Sequence, residues 1–490
     1  MIRRRNLSKS KYINGLQCLK LLWVSINDTA RLPAYDATAQ HVFDQGHIIG
    51  ELAQQLYPGG IKLQTENIGE NLTETRSSLK LRKPLFEAAF SSNRLLCRVD
   101  IITPSAGESW DILEVKSTND VKNEQLYDVA FQRHCCHLNG VKINRCHIMH
   151  LNRGYVKHGD IDPRQLFVTE DVTDRLNEFA DGLETRIAEM LAVIDSDACP
   201  EVAVGRHCNE PYSCLLQEEC WKHLPEYNVM TLYSGKKLGE ELMSQGILDI
   251  CNIPENTKLN DKQRIQKECV VCGQPHINSG EIKNFLKGLK YPLYFMDFET
   301  FATAIPIYDG TNPYQNIPFQ FSLHLITKPG AMVEHYEFLA EGKDDPRPAF
   351  LAELKQDIGP KGSVLVYYAA FEKIRLKEMA AAFPEYQEWV ESINERIVDL
   401  NVPFKDFSYY HPQQLGSSSL KHVLPVLTSL SYSNMDIGEG NTASLKYMEA
   451  AFGDIPEEER QKIRNDLRIY CGQDTGGMID ILRKLRALVD

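Results

Sequence analysis

The sequence predicts an α/β protein in which short apolar strands alternate with helices. Three short runs of mainly apolar residues end in acidic side chains, at 293–300, 364–372 and 396–399. Two β-rich runs within residues 94–116 flank a Pro/Ser/Gly turn, which is the pattern of a β-hairpin. Residues 172–195 alternate apolar and charged positions at helical spacing, as an amphipathic helix does.

Length and composition suit a protein of several domains with packed cores. The chain has 490 residues, of which 43% are hydrophobic and 25% are charged, and this length predicts two or three domains. Every apolar run is shorter than the roughly 18 residues that a bilayer span needs. The basic residues at the start are not followed by an apolar stretch of signal-peptide type. We therefore expect a cytosolic protein without a membrane partner.

The net charge of −13 argues against a protein that coats nucleic acid through bulk positive charge. It is compatible with a nuclease, because metal-binding carboxylates count as negative until the metal arrives. Residues 1–27 differ from the rest, since they carry six lysines and arginines and no acid. Two interpretations of this basic segment stay open, contact with a phosphate backbone and a solvated chain end.

The most informative run is 293–300, in which Asp297 and Glu299 are two residues apart. In a strand, these two side chains emerge on the same face. Two carboxylates held that close are unfavourable unless a cation lies between them, and hard oxygen ligands favour Mg2+ or Mn2+. The run predicts a divalent-metal site at the end of a buried strand. Two solvated acids at a strand edge are the alternative.

Later segments add polar side chains of the same kind. Glu372 ends the second apolar run, and Asp399 ends the third. Tyr470 and Asp474 are four residues apart and share one face of a helix. This order of Asp-x-Glu, Phe-Glu and Tyr-x-x-x-Asp resembles the DnaQ-like (DEDD) exonucleases, which have an RNase H-like fold, in their tyrosine subtype. The resemblance covers residues 291–490.

The resemblance implies that the Asp-x-Glu pair and Asp474 hold two metal ions and that Tyr470 orients the attacking water. The second motif of that family usually reads Asn-x-x-Phe-Asp, whereas here Glu372 ends the run Tyr-Ala-Ala-Phe-Glu, so both polar positions differ. Glu372 can still ligate a metal, and Asp399 is a competing fourth carboxylate. Two metal ions clamp the attacking and the leaving oxygen of a phosphodiester, and two such ions need about four acids.

The hairpin at 94–116 supplies a second acidic set. Asp100 closes its first strand, and Glu114 and Lys116 share one face of its second. Asp100 and Glu114 can hold a metal, with the carbonyl of Val115 as a further oxygen ligand. Lys116 can stabilise the attacking hydroxide or the pentacovalent phosphate. A surface hairpin with a salt bridge is the alternative.

The run 113–118 and the helix that follows it resemble the RecB-like PD-(D/E)xK nucleases, which have a restriction-endonuclease-like fold. The resemblance implies that Gln132, on that helix, belongs to the site. It also implies that His47, on an upstream helix, is an additional metal ligand. Glu51, one turn after His47, and Glu87 are further carboxylates near this set. The tyrosine that usually follows the glutamine is missing here.

Thirteen cysteines in a chain without a predicted signal peptide favour metal or cluster ligation over disulfides. Cys208, Cys214 and Cys220 recur at six-residue steps, and Cys18 lies far upstream. One distant cysteine with three clustered ones resembles the iron–sulfur subgroup of RecB-like nucleases, which includes CRISPR-associated nucleases. Four thiolates suit a [4Fe–4S] cluster. Zinc takes the same four ligands, and unlinked buried cysteines are a third alternative.

These patterns predict three segments. They are a RecB-like PD-(D/E)xK nuclease domain with a four-cysteine cluster at 1–225, a helical connecting module at 226–290, and an RNase H-like DEDD exonuclease domain at 291–490. The combination is similar to bacterial RecB-family nucleases.

We expect a metal-dependent nuclease with two active sites that hydrolyses phosphodiester bonds by a two-metal mechanism. DNA is favoured over RNA, with single strands or free ends as substrate. Two alternatives stay open, an RNA exonuclease with a binding-only N-terminal domain and a non-catalytic nucleic-acid-binding scaffold. The sequence identifies no protein partner.

Overall fold

A computed structural model describes residues 5–64 and 66–489. The first four residues of the basic segment therefore lie outside the described residues. The described elements form a mixed α/β structure, as the sequence predicts. None of the helices in these residues combines the length and the apolar content that crossing a bilayer requires.

The described chain forms two compact units. The first unit extends to His223 and also contains Thr303–Gln315. The second unit comprises Leu224–Ala302 and continues from Asn316 to the end of the described chain. Residues 226–290 thus belong to the second unit.

The first unit is built on a seven-stranded sheet. Its strands are β1 (Leu7–Ser8), β2 (Ile61–Lys62), β3 (Leu85–Ser92), β4 (Leu95–Pro104), β5 (Trp110–Val115), β6 (Ile143–Leu151) and β7 (Phe167–Asp171). The order is β2-β3-β4-β5-β6-β7, and β1 pairs with β4 in parallel. β4 lies antiparallel to both β3 and β5.

Nine α-helices belong to the described part of the first unit. They are α1 (Lys9–Gln17), α2 (Leu19–Asn27), α3 (Ala37–Gln54), α4 (Ile68–Ser78), α5 (Asn123–Leu138), α6 (Pro163–Leu166), α7 (Leu176–Ala180), α8 (Leu183–Asp195) and α9 (Gln217–Trp221). Both sheet faces are covered by apolar side chains. Ile112 packs with Leu126 and Phe131 of α5 on one face, and Leu113 packs with Ile49 of α3 on the other.

A two-residue turn sets the register of β3 and β4. Asn93 and Arg94 both have positive φ, 50° and 70°, as the twist-matched type I′ hairpin turn requires. The turn pairs Ser92 with Leu95. The register of the hairpin therefore fixes where each residue of β4 lies along the sheet.

The second unit contains a five-stranded sheet and a two-stranded one. Its strands are β8 (His276–Ile277), β9 (Leu293–Phe301), β10 (Ile317–Ile326), β11 (Glu334–Leu339), β12 (Ser363–Val366), β13 (Ile397–Asp399) and β14 (Tyr409–Tyr410). The larger sheet has the order β11-β10-β9-β12-β13. β10 lies antiparallel to both β11 and β9, and β9, β12 and β13 are parallel.

The second unit contains ten α-helices among the described residues. They are α10 (Lys236–Ser244), α11 (Asp261–Cys272), α12 (Ser279–Lys287), α13 (Arg347–Asp357), α14 (Ala369–Ala382), α15 (Gln387–Arg396), α16 (Val402–Lys405), α17 (Leu420–Leu427), α18 (Gly440–Phe452) and α19 (Glu457–Ala487). Phe298 of β9 packs edge-on against Phe350 of α13, whereas Phe301 packs against Tyr447 of α18. The central strand β9 is therefore buried on both faces.

Gly362 allows β12 to lie beside β9. Its φ is +95°, and a Cβ at this position would lie 2.1 Å from the carbonyl oxygen of Pro292. The next residue, Ser363, donates its backbone N–H to Lys290 O at 2.8 Å. A side chain at position 362 would push the two chain segments apart.

We predict that Gly362→Ala lowers the free energy of unfolding by about 3 kcal/mol or more, because it adds a backbone clash to an unfavourable φ. Gly330→Ala is the matched control, since Gly330 has φ +75° but no atom within 4 Å of the added Cβ; we expect a cost of about 1 kcal/mol there. Urea unfolding of the full chain measures both. Equal costs would contradict the close-approach explanation.

Candidate active sites

The first candidate site lies in the first unit, where β4 and β5 run side by side. Their antiparallel register pairs Ile101 with Leu113. Asp100, the residue before Ile101, and Glu114, the residue after Leu113, are therefore cross-strand neighbours. The Asp100 carboxylate accepts a hydrogen bond from the backbone N–H of Val115 at 2.8 Å. Strand pairing therefore brings the two sequence-predicted acids together.

Lys116 and Gln132 contact the same carboxylate. Lys116 Nζ lies 2.6 Å from Glu114 Oε1. Gln132, on α5, donates from Nε2 to Glu114 Oε2 at 2.7 Å. Glu114 is only 1% exposed, so both of its oxygens are engaged inside the unit and its carboxylate is held in one orientation.

Two residues that the sequence analysis did not assign to this site belong to it. Asp128, one helical turn before Gln132, accepts from Lys116 Nζ at 2.7 Å and from Gln132 Nε2 at 3.0 Å. Lys9, the first residue of α1, has its Nζ 2.8 Å from Glu114 Oε1. The i, i+4 spacing of Asp128 and Gln132 is a signal that points to Asp128. Lys9 carries no signal beyond its place in the basic segment.

Burial and charge set the protonation of these groups. Burial and the adjacent Glu114 raise the pKa of Asp100 to about 7. Burial opposes ionisation of Glu114, but Lys116 and Lys9 outweigh it, so the pKa of Glu114 falls below its usual value. Burial acts to lower the pKa of Lys116, but Asp128 and Glu114 raise it more, and its net shift is upward. At neutral pH, Glu114 is therefore ionised and Lys116 is protonated, the forms that metal and phosphate binding require.

A cavity of about 420 Å³ opens beside this cluster. The sequence-predicted residues on its wall are Asp100, Glu114, Val115, His47, Glu51 and Glu87. His47 and Glu51 come from α3, and Glu87 comes from β3. Burial raises the pKa of Glu87. The structure thus places the helix histidine at the same cavity as the acids of the hairpin.

The second candidate site lies in the second unit, where β9 meets the long helix α19. Residues of β9 alternate between two faces, and Met296 and Phe298 enter an apolar core. On the alternate positions, a carboxylate oxygen of Asp297, one of Glu299 and the Sγ of Cys471 all lie within 4.8 Å of one another. Cys471 is on α19, so the strand acids and the helix meet at one point.

A cavity of about 540 Å³ adjoins this point. Tyr470 and Asp474, one turn apart on α19, line it together with Asp297 and Glu299. Glu372, in the first turn of α14, lines it as well. The buried Oε2 of Glu372 has no hydrogen-bond partner among the described residues. The structure therefore gathers these five side chains around one space.

Burial raises the pKa of every carboxylate at this cavity. Burial and the neighbouring Asp474 and Glu299 raise the pKa of Asp297 well above its usual value, and burial with Asp474 does the same for the pKa of Glu299. Burial raises the pKa of Asp474 to about 7, although Tyr432 donates a hydrogen bond to it. Burial raises the pKa of Glu372 to about 8. Nearby positive charge therefore compensates these acids poorly.

Asp399 has a different position. Its Oδ1 accepts hydrogen bonds from the backbone N–H groups of Tyr368 at 3.1 Å and Asn401 at 2.9 Å, and its Oδ2 accepts from Ala369 at 3.2 Å. These bonds satisfy N–H groups at the start of α14. Asp399 is not among the residues that line the cavity, so the structure engages it as a cap of α14 and leaves Glu372 as the acid from this part of the chain.

Three further residues of the second site were not assigned from the sequence. Lys421 lines the cavity, and its charge opposes the burial that raises the pKa of Asp474. Tyr432 donates its hydroxyl proton to Asp474 Oδ1. Cys471 directly follows Tyr470 in the motif, and Lys421 follows a serine-rich turn that signals a helix start. Tyr432 gives no sequence signal.

The four sequence-predicted cysteines come together in the first unit. Cys18, Cys214 and Cys220 pack in one cluster, and Cys208 O accepts from the backbone N–H of Cys214 at 2.8 Å. Burial raises the pKa of Cys214, and the thiols of the other three raise it further. Cys199, which the sequence pattern did not include, packs against the same cluster. The first unit therefore offers four thiols, with a fifth beside them, at one place.

Comparison with known proteins identifies similarity over part of the chain. The model of the domain of unknown function DUF2779 matches residues 294–419. This segment contains Asp297, Glu299 and Glu372 and ends before Tyr470. The likeness to RecB-like and DnaQ-like nucleases stays a prediction.

Relatives from Mycoplasma and Ureaplasma share part of the sequence. The "Uncharacterized protein MG366 homolog" of Mycoplasma pneumoniae is 28% identical over an alignment of 220 residues that covers 41% of this chain and 33% of the relative. "Uncharacterized protein MG366" of Mycoplasma genitalium is 27% identical over an alignment of 240 residues that covers 43% of this chain and 34% of the relative. "Uncharacterized protein UU173" of Ureaplasma parvum is 27% identical over an alignment of 226 residues that covers 41% of this chain and 32% of the relative. The chain spans about a third of the length of these curated relatives.

We predict that the metal-free chain loses stability as the pH rises from about 5 to 8. The folded carboxyls of the second cavity keep protons that the unfolded chain releases near pH 4, so the free energy of unfolding falls by up to about 1.4 kcal/mol per pH unit for each such group. Asp474→Asn should flatten this slope, because the pKa of Asp474 is raised to about 7. Thermal unfolding between pH 5 and 8 measures it.

The control for this prediction is Glu458→Gln, an exposed acid on the same helix, which should leave the slope unchanged. Added Mn2+ should restore stability at pH 8, because it binds the ionised carboxylates only in the folded state. A metal-free chain whose stability rises with pH over this range would contradict the assigned burial of these acids.

Proposed function

We propose that this protein is a metal-dependent nuclease that hydrolyses phosphodiester bonds in DNA, with one active site in each unit. The observation that carries the proposal is the gathering of side chains around the second cavity. They are Asp297, Glu299, Glu372, Tyr470 and Asp474. A DnaQ-like exonuclease of the tyrosine subtype uses a similar set of groups, with an aspartate where this chain has Glu372. The sheet, three antiparallel strands continued by two parallel ones, is in keeping with an RNase H-like fold.

The second cavity fits divalent ions. Its carboxylates are buried, their pKa values are raised, and Glu372 Oε2 has no hydrogen-bond partner among the described residues. Oxygen donors of this kind suit Mg2+ or Mn2+, so Asp297, Glu299, Glu372 and Asp474 would hold the ions. When bound, such ions activate water and stabilise the attacking and leaving oxygens of the phosphate.

Tyr470 supplies a phenolic proton at this site. Burial and the neighbouring Asp474 and Glu299 raise the pKa of Tyr470, so its hydroxyl stays protonated at neutral pH. It can therefore donate a hydrogen bond to a water or a phosphate oxygen, and it is unsuited to act as a base. Tyr432 fixes the Asp474 carboxylate. Lys421, on the cavity wall, is placed to attract the phosphate.

Exposed aromatic side chains support a single-stranded substrate. Tyr368 and Phe371 line the cavity and are 48% and 37% exposed. Bases that are free of a duplex stack on such rings without regard to sequence. An unpaired strand end can therefore lie over the cavity with its phosphate toward the carboxylates. The RecB-like character of the first unit favours DNA over RNA.

The first unit fits a PD-(D/E)xK nuclease site. Asp100, Glu114 and the backbone carbonyl of Val115 would hold a divalent ion, and Lys116 would stabilise the negative charge that develops on the phosphate. The buried Oε1 of Gln132 has no partner among the described residues, so it is free to accept from a water. His47, which lines the same cavity, would be the additional ligand.

The thiols of the first unit favour a [4Fe–4S] cluster over zinc. Zn–S bonds of about 2.3 Å in a tetrahedral site place the sulfurs roughly 3.8 Å apart. In the described residues, the thiols of Cys18, Cys208, Cys214 and Cys220 do not form a group of three within 4.8 Å. They nevertheless interact electrostatically. A wider arrangement of four thiols suits a polynuclear cluster.

We predict that Lys116→Ala and Asp297→Ala each remove a different nuclease activity by about 100-fold or more, because each deletes a group needed for charge stabilisation or metal binding. Lys142→Ala and Asp344→Ala, at exposed positions of the same units, are the matched controls and should keep full activity. End-labelled single-stranded DNA, duplex DNA and single-stranded RNA, each with Mg2+ or Mn2+, measure the two activities.

Each outcome of this experiment selects one function. Activity on RNA that only Asp297→Ala removes would favour the RNA exonuclease with a binding-only first unit. Binding of nucleic acid without cleavage in any metal would favour the scaffold. Cleavage that survives both substitutions would overturn the assignment of both sites.

We predict that the anaerobically purified chain is brown, with broad absorbance near 400 nm and about four iron atoms and four sulfides per chain. Cys214→Ser should lose the colour and lower the unfolding temperature, because cluster binding is coupled to folding. Cys251→Ser is the control, since Cys251 is exposed, and it should keep both. A colourless chain with stoichiometric zinc would replace the cofactor without affecting the nuclease proposal.

A further inference from the structure

Lys9 lies among the carboxylates of the first-unit site. Its Nζ is 2.8 Å from Glu114 Oε1, 3.9 Å from Asp100 Oδ1 and 3.9 Å from Asp128 Oδ2. Lys116 Nζ approaches two of the same acids, at 2.6 Å from Glu114 and 2.7 Å from Asp128. Two ammonium groups therefore share three carboxylates.

The local sequence of α1 does not explain this position. Lys9 is the first residue of the helix, and the first turn carries no acid. A cation at a helix N-terminus is disfavoured by the helix dipole. The compensating acid is Glu114, 105 residues away in the sequence. The contact with this carboxylate, and not an interaction within the helix, therefore accounts for the position of Lys9.

Both ends of α1 are fixed within the first unit. Before the helix, Leu7 pairs with Leu95 of β4. After it, Cys18 caps the helix, and Gln17 Nε2 donates to the carbonyl oxygens of His207 at 2.9 Å and Tyr212 at 2.7 Å. The Lys9 side chain is 25% exposed. The contacts at both ends of α1 thus hold the Lys9 ammonium next to the acids.

The charge balance limits how many divalent ions this site can take. Two-metal sites use about four acids for two ions. Here the three carboxylates that surround the lysines, Asp100, Glu114 and Asp128, carry −3 when ionised, and Lys9 and Lys116 carry +2. The other two acids on the cavity wall have cationic partners of their own, Glu51 with Lys62 at 3.2 Å and Glu87 with Arg98 at 4.0 Å. The charge of −1 that remains suits one divalent ion.

We propose that Lys9 supplies the positive charge that a second divalent ion supplies in two-metal nucleases, so that the first-unit site takes one divalent ion. This inference rests on the proposed nuclease function of the first unit. Lys116 then acts on the attacking side, as in the family, and Lys9 is a further cation for the phosphate. The second unit, whose acids face only Lys421 among the cations on the cavity wall, takes its positive charge from bound ions.

Counting bound Mn2+ tests the proposal. The full chain is used with Asp297→Asn and Asp474→Asn, which remove two of the four proposed ligands of the second unit, and free Mn2+ is followed by electron paramagnetic resonance. We expect one Mn2+ per chain with Lys9 present and two with Lys9→Met. Lys9→Arg keeps the charge and should again bind one. Lys11→Met, on the same helix and without an acidic partner among the described residues, should also bind one.

The rate of cleavage gives the second readout. With one equivalent of Mn2+ per chain, Lys9→Met should cleave single-stranded DNA at least tenfold more slowly than Lys11→Met, whereas Lys9→Arg should retain at least a third of the rate. Saturating Mn2+ should restore most of the rate of Lys9→Met, because the second ion then supplies the missing charge. Two Mn2+ ions, or none, in the chain with Lys9 overturn the inference, and so does a count of one for Lys9→Met. If Lys116→Ala cleaves at the full rate, the nuclease function of the first unit fails instead, and the Mn2+ counts still decide the charge role of Lys9.

Discussion

Both candidate sites depend on one constraint, the burial of several carboxylates next to one another. A buried acid strongly prefers its neutral form, and a second acid nearby strengthens that preference. Asp474, with a pKa of about 7 in place of 3.8, would need about 4 kcal/mol to ionise at the pH where it ionises in water. That is a sizeable part of the 5–15 kcal/mol by which a domain is typically stable. The apolar packing around such a cluster and any cation next to it must offset this cost.

The two units differ in the cations that compensate their buried carboxylates. In the first unit, Lys9 and Lys116 lie within hydrogen-bond distance of Glu114, so a large part of the compensation is built into the chain. In the second unit, Lys421 is the cation on the cavity wall. Burial and the nearby Asp474 keep the pKa values of Asp297 and Glu299 raised. The chain's own lysines therefore compensate the acids of the first site, whereas the acids of the second site would need bound cations to ionise at neutral pH.

Much of both sites follows from short sequence periods. Asp297 and Glu299 lie on one face of β9 because strands repeat every two residues. Tyr470 and Asp474 lie on one face of α19 because helices repeat near every four. The same reasoning predicts that Glu114 and Lys116 share a face, and they contact at 2.6 Å. Asp399 shows the limit of such reasoning, since a carboxylate at a strand end serves a helix cap as readily as a metal site, and its hydrogen bonds depend on where α14 begins.

The sequence by itself determined the α/β class, the positions of the strand and helix acids, and the spacing of the cysteines, because these depend on local periodicity and side-chain chemistry. The tertiary structure decided which of these groups share a cavity. It also added Lys9, Lys421 and Tyr432, which lie far from their partners along the chain, and Asp128, which contacts Lys116 as well as its helical neighbour Gln132. Contacts such as that of Lys9 with Glu114 depend on how β1, β4 and α5 pack together. No local pattern encodes that packing, because it results from the sum of many weak apolar contacts over the whole unit.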